Sequence, residues 1–298
     1  TLRHLIKMKN ILNRLINHEI LSKEEAKNIL VNISNSSYNP SQIASFLTVY
    51  MMRSISIEEL SGFREALLEL CNRVDLSAYN TIDLCGTGGD GKDTFNISTL
   101  ASFVAAGAGI KVAKHGNYGV SSISGSSNVM EKLGVKFSNE NDFLEKCIDK
   151  AGICILHAPL FHPAMKNVGP IRKELGVRTF FNMLGPMINP SFPKNQSVGV
   201  FNLELARMYA YLYQNIDINF TILHSLDGYD EVLKSADEEN RPLLSVAIEK
   251  ELTALEMNSN GALKRTSKDK FFLIMNKKEL KKLETDKFSV LDQIRKID

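Results

Sequence analysis

Apolar residues recur at helical spacing through the first quarter of the chain. Ile11, Leu12, Leu15 and Ile16 form one such stripe, and Ile43, Phe46, Leu47, Tyr50 and Met51 form another. Polar start signals stand ahead of the stripes. Ser22 with Glu25 and Ser56 with Glu59 are capping boxes, the first before Ala26, Ile29 and Leu30, the second before Leu60, Phe63, Leu67 and Leu68. Asn39 followed by Pro40 marks a third start, as cap and first-turn proline. The plain reading of these faces is helix–helix packing. From Thr81 the period changes. Short β-friendly runs are expected at Thr81–Cys85, Lys111–Ala113, Val135–Phe137, Ile153–Leu156, Val198–Phe201 and Phe220–His224. Between them lie an uncharged apolar run from Ile97 to Ile110 and helical patterns at Asn128–Leu133, Asp142–Lys150 and Glu204–Tyr213. Strand–helix alternation of this kind predicts a mostly parallel sheet covered on both faces. The fold class is therefore α/β, with a small helical domain over residues 1–75 and a large α/β domain over 76–298. Part of the stretch near 160–178 is expected to pack back on the helices.

Two loops carry the first chemical signal. Gly86, Thr87, Gly88, Gly89, Asp90 and Gly91 follow the first strand and precede the uncharged helix. Glycines let the backbone come close to a phosphate and turn its N–H groups inward, and a helix start adds partial positive charge. One βαβ unit later, Lys114, His115, Gly116 and Asn117 lead into a serine-rich loop, Ser121–Ser127. Both loops are expected at the carboxyl ends of neighbouring strands, where open α/β sheets bind ligands.

Composition narrows the class. The 298 residues are 44% hydrophobic and 23% charged, with a net charge of +2, so bulk charge does not favour nucleic acid. The four cysteines show no C-x-x-C spacing, which fits reduced thiols in a cytoplasmic protein. No run approaches a membrane span, and Arg3, Lys7 and Lys9 near the start are followed by no signal-peptide core. Neither repeats nor low-complexity tracts occur.

Taken together and in order, the motifs resemble the anthranilate phosphoribosyltransferases. GTGGD stands at Gly86–Asp90, N-x-S-T at Asn96–Thr99, KHGN at Lys114–Asn117 and the Ser/Gly loop at Ser121–Ser127. Further on, HPAM, an arginine ten positions after its histidine, and RTFFNMLGP resemble the family's anthranilate-side segment. PSQIASFL, Pro40–Leu47, resembles its helical domain, which pairs two subunits into a homodimer. The resemblance implies Mg²⁺-dependent transfer of the phosphoribosyl group from phosphoribosyl pyrophosphate to anthranilate, in tryptophan biosynthesis. It implies that Gly86, Thr87, Gly88, Gly89, Asp90, Thr94, Asn96, Ser98, Thr99, Lys114, Asn117, Ser121, Ser122 and Ser126 bind phosphoribosyl pyrophosphate. Gly86, Asn117, His162 and Arg172 then meet anthranilate, with Arg172 on its carboxylate. Ser98, Asp230 and Glu231 hold the metal. The partners implied are small molecules, not nucleic acid or membrane.

No covalent nucleophile or general base is assigned, and His115 reads equally well as structural. Two positions depart from the family pattern: Tyr118 stands where an arginine is common, and Asn128 where an aspartate ends the serine loop. Past Leu233 no further motif of the family is found. Two rivals share the fold, a pyrimidine nucleoside phosphorylase and a nucleic-acid-binding relative. The first should carry a different glycine loop, KHGG, and no acidic metal pair; the second should be strongly basic.

Overall fold

A computed structural model describes residues 7–88, 96–119, 124–224, 255–257 and 263–265. Four helices come first: α1 (Met8–Ile16), α2 (Lys23–Ser34), α3 (Pro40–Met52) and α4 (Ile57–Glu69). The three start signals act as expected. Ser22, Asn39 and Ser56 each accept the backbone N–H three residues on, and Glu25, Gln42 and Glu59 return the bond. Glu59 does more than cap. It is fully buried and also accepts Leu21 N at 3.0 Å and Tyr50 Oη at 2.9 Å, while Arg53 pairs with it. One carboxylate thus ties the α1–α2 link to α3 and α4. Burial and the neighbouring Glu59 charge push the Tyr50 phenol well above its usual range.

The sheet follows. Its parallel strands β1 (Ile82–Gly86), β2 (Val112–Gly116), β3 (Ile153–His157), β4 (Asn195–Gly199) and β5 (Asn219–Leu223) lie in the order β3-β2-β1-β4-β5. Helices α5 (Ile97–Gly107), α6 (Ser126–Lys132) and α7 (Asn141–Ala151) fall between β1 and β3. After β3 come α8 (Ala158–Phe161), a 3₁₀ turn at Pro163–Asn167, α9 (Gly169–Leu175), α10 (Phe181–Leu184) and a 3₁₀ turn at Gly185–Ile188. Helix α11 (Leu203–Tyr213) joins β4 to β5, and a short antiparallel pair, β6 (Leu255–Met257) and β7 (Leu263–Arg265), lies further on.

Both sheet faces are covered. On one, Phe103, Val112, Met130, Ile153 and Ile155 pack together; on the other, Val74, Ala113, Leu144, Ile148, Cys154 and Phe161 do. The largest core joins the helical layer to α9, α10, α11 and β4. Its centre is aromatic: Phe63 stacks on Phe180 with ring centroids 4.5 Å apart, and Phe180 on Phe181 at 4.6 Å. Asn167 Nδ2 donates to Ser34 O at 2.8 Å, and Arg64 Nε to Met187 O at 3.1 Å. Residues 163–188 therefore lie against the helical layer despite their distance in sequence.

Three expectations need correction. Among the described residues Val135–Phe137 pairs with no strand; its apolar side chains instead fill the core beside Met130 and Ile155, and Phe137 stacks on His157. Strand β2 continues to Gly116, because Lys114, His115 and Gly116 keep parallel partners in Ile155, Leu156 and His157. Strand β4 begins at Asn195 rather than Val198, since Asn195 and Gln196 pair with Ile82 and Asp83. Polar residues hid these strand segments from a reading by hydropathy.

Gly62 shows how tightly α2 and α4 meet. A Cβ there would stand 2.2 Å from Lys23 O and 2.9 Å from Ala26 Cβ, against backbone that cannot turn aside. Gly62→Ala is expected to cost about 1–3 kcal/mol in chemical unfolding. Gly169→Ala, where the space is open, should stay within about 0.5 kcal/mol. Equal midpoints for the two variants would contradict this packing.

Candidate active site

The sheet order reverses between β1 and β4: the chain leaves β1 for β2 on one side and returns to β4 on the other. In such a sheet the crevice at the carboxyl ends of the two strands is the natural ligand site. Here Thr87 closes its floor. Its N–H and its Oγ1 both donate to Gly199 O, at 2.9 and 3.3 Å. Gly88 has φ +60°, a left-handed turn that favours glycine, just past β1. Helix α5 then starts at Ile97. Asn96 stands at its N-cap, but its side chain makes no capping bond. Ser98 is half-buried in the first turn, and Thr99 Oγ1 is buried without a partner among the described residues.

The second loop is braced from inside. Ser127 N donates to Asn117 O at 3.1 Å, and Tyr118 N to Asn117 Oδ1 at 2.8 Å. Asn128 Oδ1 accepts both Gly119 N, at 3.0 Å, and Gly125 N, at 2.9 Å. A Cβ on Gly125 would lie 2.3 Å from Gly119 N, and one on Gly116 2.1 Å from Ser126 Oγ. The stretches 116–119 and 125–128 are thus in direct backbone contact, which sets Asn117 and Ser126 side by side. Tyr118 turns its hydroxyl to Glu131 Oε1 at 3.0 Å. Ser127 Oγ meets His157 Nδ1 at 2.8 Å, anchoring the start of α6 to the end of β3.

Beneath these loops is a buried polar group. Asp83, in the middle of β1, is wholly buried; Oδ1 accepts His115 N at 3.2 Å, and Gln196 Nε2 lies 3.4 Å from Oδ2. Burial pushes its carboxyl up, against the pull of the Lys114 charge. Lys114 is also buried, and its Nζ donates to Leu84 O at 2.6 Å. Its charge therefore sits under the glycine loop. His115 Nδ1 lies 3.1 Å from Gly185 O. A carbonyl only accepts, so Nδ1 carries the proton. His162 packs edge-on to His115, ring centroids 5.2 Å apart. Burial, with His162 nearby, holds His115 down at about 3. Burial also lowers His162 to about 4. The carbonyls of Ile188 and Leu67 oppose that shift, though neither ring nitrogen reaches hydrogen-bond geometry.

Arg172 lies on α9. One guanidinium nitrogen, Nη2, donates to Asn182 Oδ1 at 3.2 Å, and the group lies 5.3 Å from the Phe181 ring centre. Nε is buried without a partner, and no carboxylate pairs with Arg172 among the described residues. Burial alone lowers its pKa to about 10, so it stays charged at neutral pH.

The residues 78–267 match the glycosyl transferase family a/b domain, and 9–71 match that family's helical bundle domain. An anthranilate phosphoribosyltransferase of Flavobacterium johnsoniae is 86% identical over 225 residues, which is 76% of this chain and 68% of the relative. The chain belongs to the anthranilate phosphoribosyltransferase family. Solved structures agree. The anthranilate phosphoribosyltransferase of Thermus thermophilus is 35% identical with a TM-score of 0.68, over 74% of this chain and 67% of that one. The Saccharomyces cerevisiae one, solved with PRPP and Mg, is 30% identical with a TM-score of 0.69, over 77% and 68%. The helical domain and the α/β domain expected from the sequence both match domains of the glycosyl transferase family.

Of the residues singled out in the sequence, Gly86, Thr87, Gly88, Asn96, Ser98, Thr99, Lys114, Asn117, Ser126, His162 and Arg172 are placed. Gly89, Asp90, Thr94, Ser121, Ser122, Asp230 and Glu231 lie outside the described residues. Among the described residues no group of three or more His, Cys, Asp or Glu side chains could hold a metal ion. Asp83, Asn128, His157 and Asn182 were not singled out for the site. A charged residue in the middle of a doubly covered strand was the available signal for Asp83, since it has to find partners there.

Two measurements test this arrangement. Asn128→Ala is expected to weaken hydrogen-exchange protection of the Gly119 and Gly125 amides, with a stability loss of about 1–3 kcal/mol. Asn128→Asp keeps an acceptor oxygen and should retain both. The buried histidines set a pH dependence. The unfolded chain takes up protons near the usual imidazole value of about 6.5, while folded His115 and His162 stay neutral down to about 3 and 4. Stability should therefore be full above about pH 7 and fall as pH drops toward 4, by up to ~1.4 kcal/mol per pH unit for each ring. Chemical unfolding at pH 7 and pH 5 should show a shallower fall for His115→Gln/His162→Gln than for the wild type; parallel slopes would contradict the assignment.

Proposed function

We propose that this enzyme transfers the phosphoribosyl group of phosphoribosyl pyrophosphate to the amine of anthranilate, releasing pyrophosphate and N-(5-phosphoribosyl)anthranilate, a step of tryptophan biosynthesis. The observation that carries the reading is Arg172. It is a largely buried guanidinium with a buried Nε–H unused and no carboxylate paired to it among the described residues. A buried cation without an anion is costly, so the site suits a ligand that brings one. Anthranilate brings a planar carboxylate, which an arginine fork binds at two points.

On the other side of the crevice, the glycine turn after β1 and the uncapped start of α5 offer backbone N–H groups and positive helix charge to a polyanion. Lys114 adds a buried positive charge below the same turn. Asn117 and Ser126, set side by side, present polar groups at the end of β2. In the reaction the amine lone pair forms the bond to ribose C1, the C1–oxygen pair leaves with pyrophosphate, and the nitrogen, cationic once bonded, then gives up one proton to solvent. The amine is uncharged and needs positioning more than prior deprotonation. The donors aimed at the leaving group stabilise the charge it gains, each on the order of 3 kcal/mol.

Ser98, in the first turn of α5, offers a hydroxyl, and Asp230 and Glu231 would add carboxylates. This all-oxygen set fits Mg²⁺. When bound, that ion would neutralise pyrophosphate charge. The division of the chain near residue 75, the cytoplasmic location and a homodimer through the helical layer belong to the same reading. Exposed apolar side chains on that layer, Ile16, Ile20 and Met52, support the pairing. No described helix is long and apolar enough to cross a membrane.

The test follows anthranilate fluorescence after phosphoribosyl pyrophosphate is added, with Mg²⁺ and then with EDTA. A loss of fluorescence that EDTA stops, and that Asp230→Asn/Glu231→Gln cripples, is expected. Arg172→Ala should raise the KM for anthranilate by roughly 10- to 100-fold, the worth of a charged hydrogen bond, and leave that for phosphoribosyl pyrophosphate near its wild-type value. No consumption by a folded wild type would sink the reading.

A further inference from the structure

Arg172 is held from one side by a single neutral oxygen. Asn182 Oδ1 accepts Arg172 Nη2 at 3.2 Å and Thr179 N at 3.1 Å. Asn182 N in turn donates to Thr179 O at 3.0 Å. The asparagine side chain therefore closes its own turn, and the oxygen that meets the guanidinium is fixed to backbone rather than left on a free rotor. The next residue back, Phe181, supplies the ring beside the guanidinium. Both contacts come from one turn, so they set the rotation of the guanidinium plane together. With Nη2 engaged, the buried Nε–H is left without a partner among the described residues.

From this geometry we infer that Asn182 is the positioning residue for Arg172: it orients the guanidinium toward an incoming aromatic carboxylate without neutralising it. The inference rests on the reading of Arg172 given above. Its content lies in the choice of an amide. An aspartate would close the same turn equally well, because its oxygen can accept the same backbone N–H. It would also form a two-point ion pair with Arg172 and compete with the carboxylate of the ligand. A residue needed only for the turn would tolerate aspartate. One needed to leave Arg172 uncompensated would not.

The experiment uses the full chain and compares Asn182→Asp and Asn182→Ala with the wild type, in steady-state kinetics and thermal unfolding. Asn182→Asp is expected to keep the unfolding midpoint and the KM for phosphoribosyl pyrophosphate, and to raise the KM for anthranilate at least tenfold. Asn182→Ala, which frees the guanidinium without pairing it, should raise the KM for anthranilate several-fold and change the other KM little. In an Arg172→Gln background, Asn182→Asp should add no further effect. An anthranilate KM within twofold of wild type in both Asn182 variants would overturn the inference, as would a loss shared equally by both substrates. Failure of the underlying reading shows itself separately, as an inactive wild type or an anthranilate KM that Arg172→Ala leaves unchanged.

Discussion

Three consecutive carbonyls after α10 have to be satisfied in the interior, and each is taken by a different part of the molecule. Gly185 O faces His115 on β2, Pro186 O accepts Gln196 Nε2 from β4 at 2.5 Å, and Met187 O accepts Arg64 from α4. Unpaired buried carbonyls cost about as much as a lost hydrogen bond. The turn is therefore stable only where two strands and the helical layer converge on it. That convergence places α10, and with it Asn182, beside Arg172. The position of Arg172 follows from how backbone groups some residues away are paired.

Asp83 extends the same constraint to the other side of the crevice. It joins β1 to the backbone of His115 and to Gln196, so the strand that launches the glycine loop is fixed to the strand that launches KHGN. Gln196 is the shared member: it touches the Asp83 side and the Pro186 carbonyl, and Tyr213 Oη donates to its Oε1 at 2.5 Å. The phosphate-type loops and the Arg172 side are held by one buried polar group. This suits a reaction in which two substrates must meet at one carbon, where small errors of placement cost rate.

Much of this was legible in the sequence, and the part that was not has a physical reason. Capping boxes at Ser22 and Ser56 and the cap at Asn39 announced their helices, because local side-chain bonds depend only on neighbours in sequence. The glycine loop and KHGN were found by type and spacing, and Arg172 by the resemblance of its segment to the family's anthranilate-side motif. The end of β2 and the start of β4 were not, because Lys114, His115, Asn195 and Gln196 look like loop residues until the sheet supplies their partners. Val135–Phe137 misled for the opposite reason. Its apolar side chains suit a strand, but they are buried by packing, and Val135 N–H is taken locally by Met130 O rather than by a described strand. Asn182 stood inside a quoted motif without a role, and Asn128 read only as a neutral helix cap, since what each does is set by atoms several residues away on a folded turn.

The two buried cations divide the labour of the site. Lys114 has its needs met inside the protein, by Leu84 O and by the neighbouring charge of Asp83. It contributes a fixed field beneath the glycine turn at no expense in specificity. Among the described residues Arg172 meets a neutral oxygen and an aromatic ring and no carboxylate. Its charge is uncompensated among the described residues. Field and binding contact place opposite demands on a buried cation: compensation protects the fold, and the lack of it gives affinity for a ligand. Here the compensated cation lies in the middle of the sheet, where an unpaired charge would threaten the core. The one uncompensated among the described residues lies on the short helix α9, away from the strands, where the cost is not borne by the sheet.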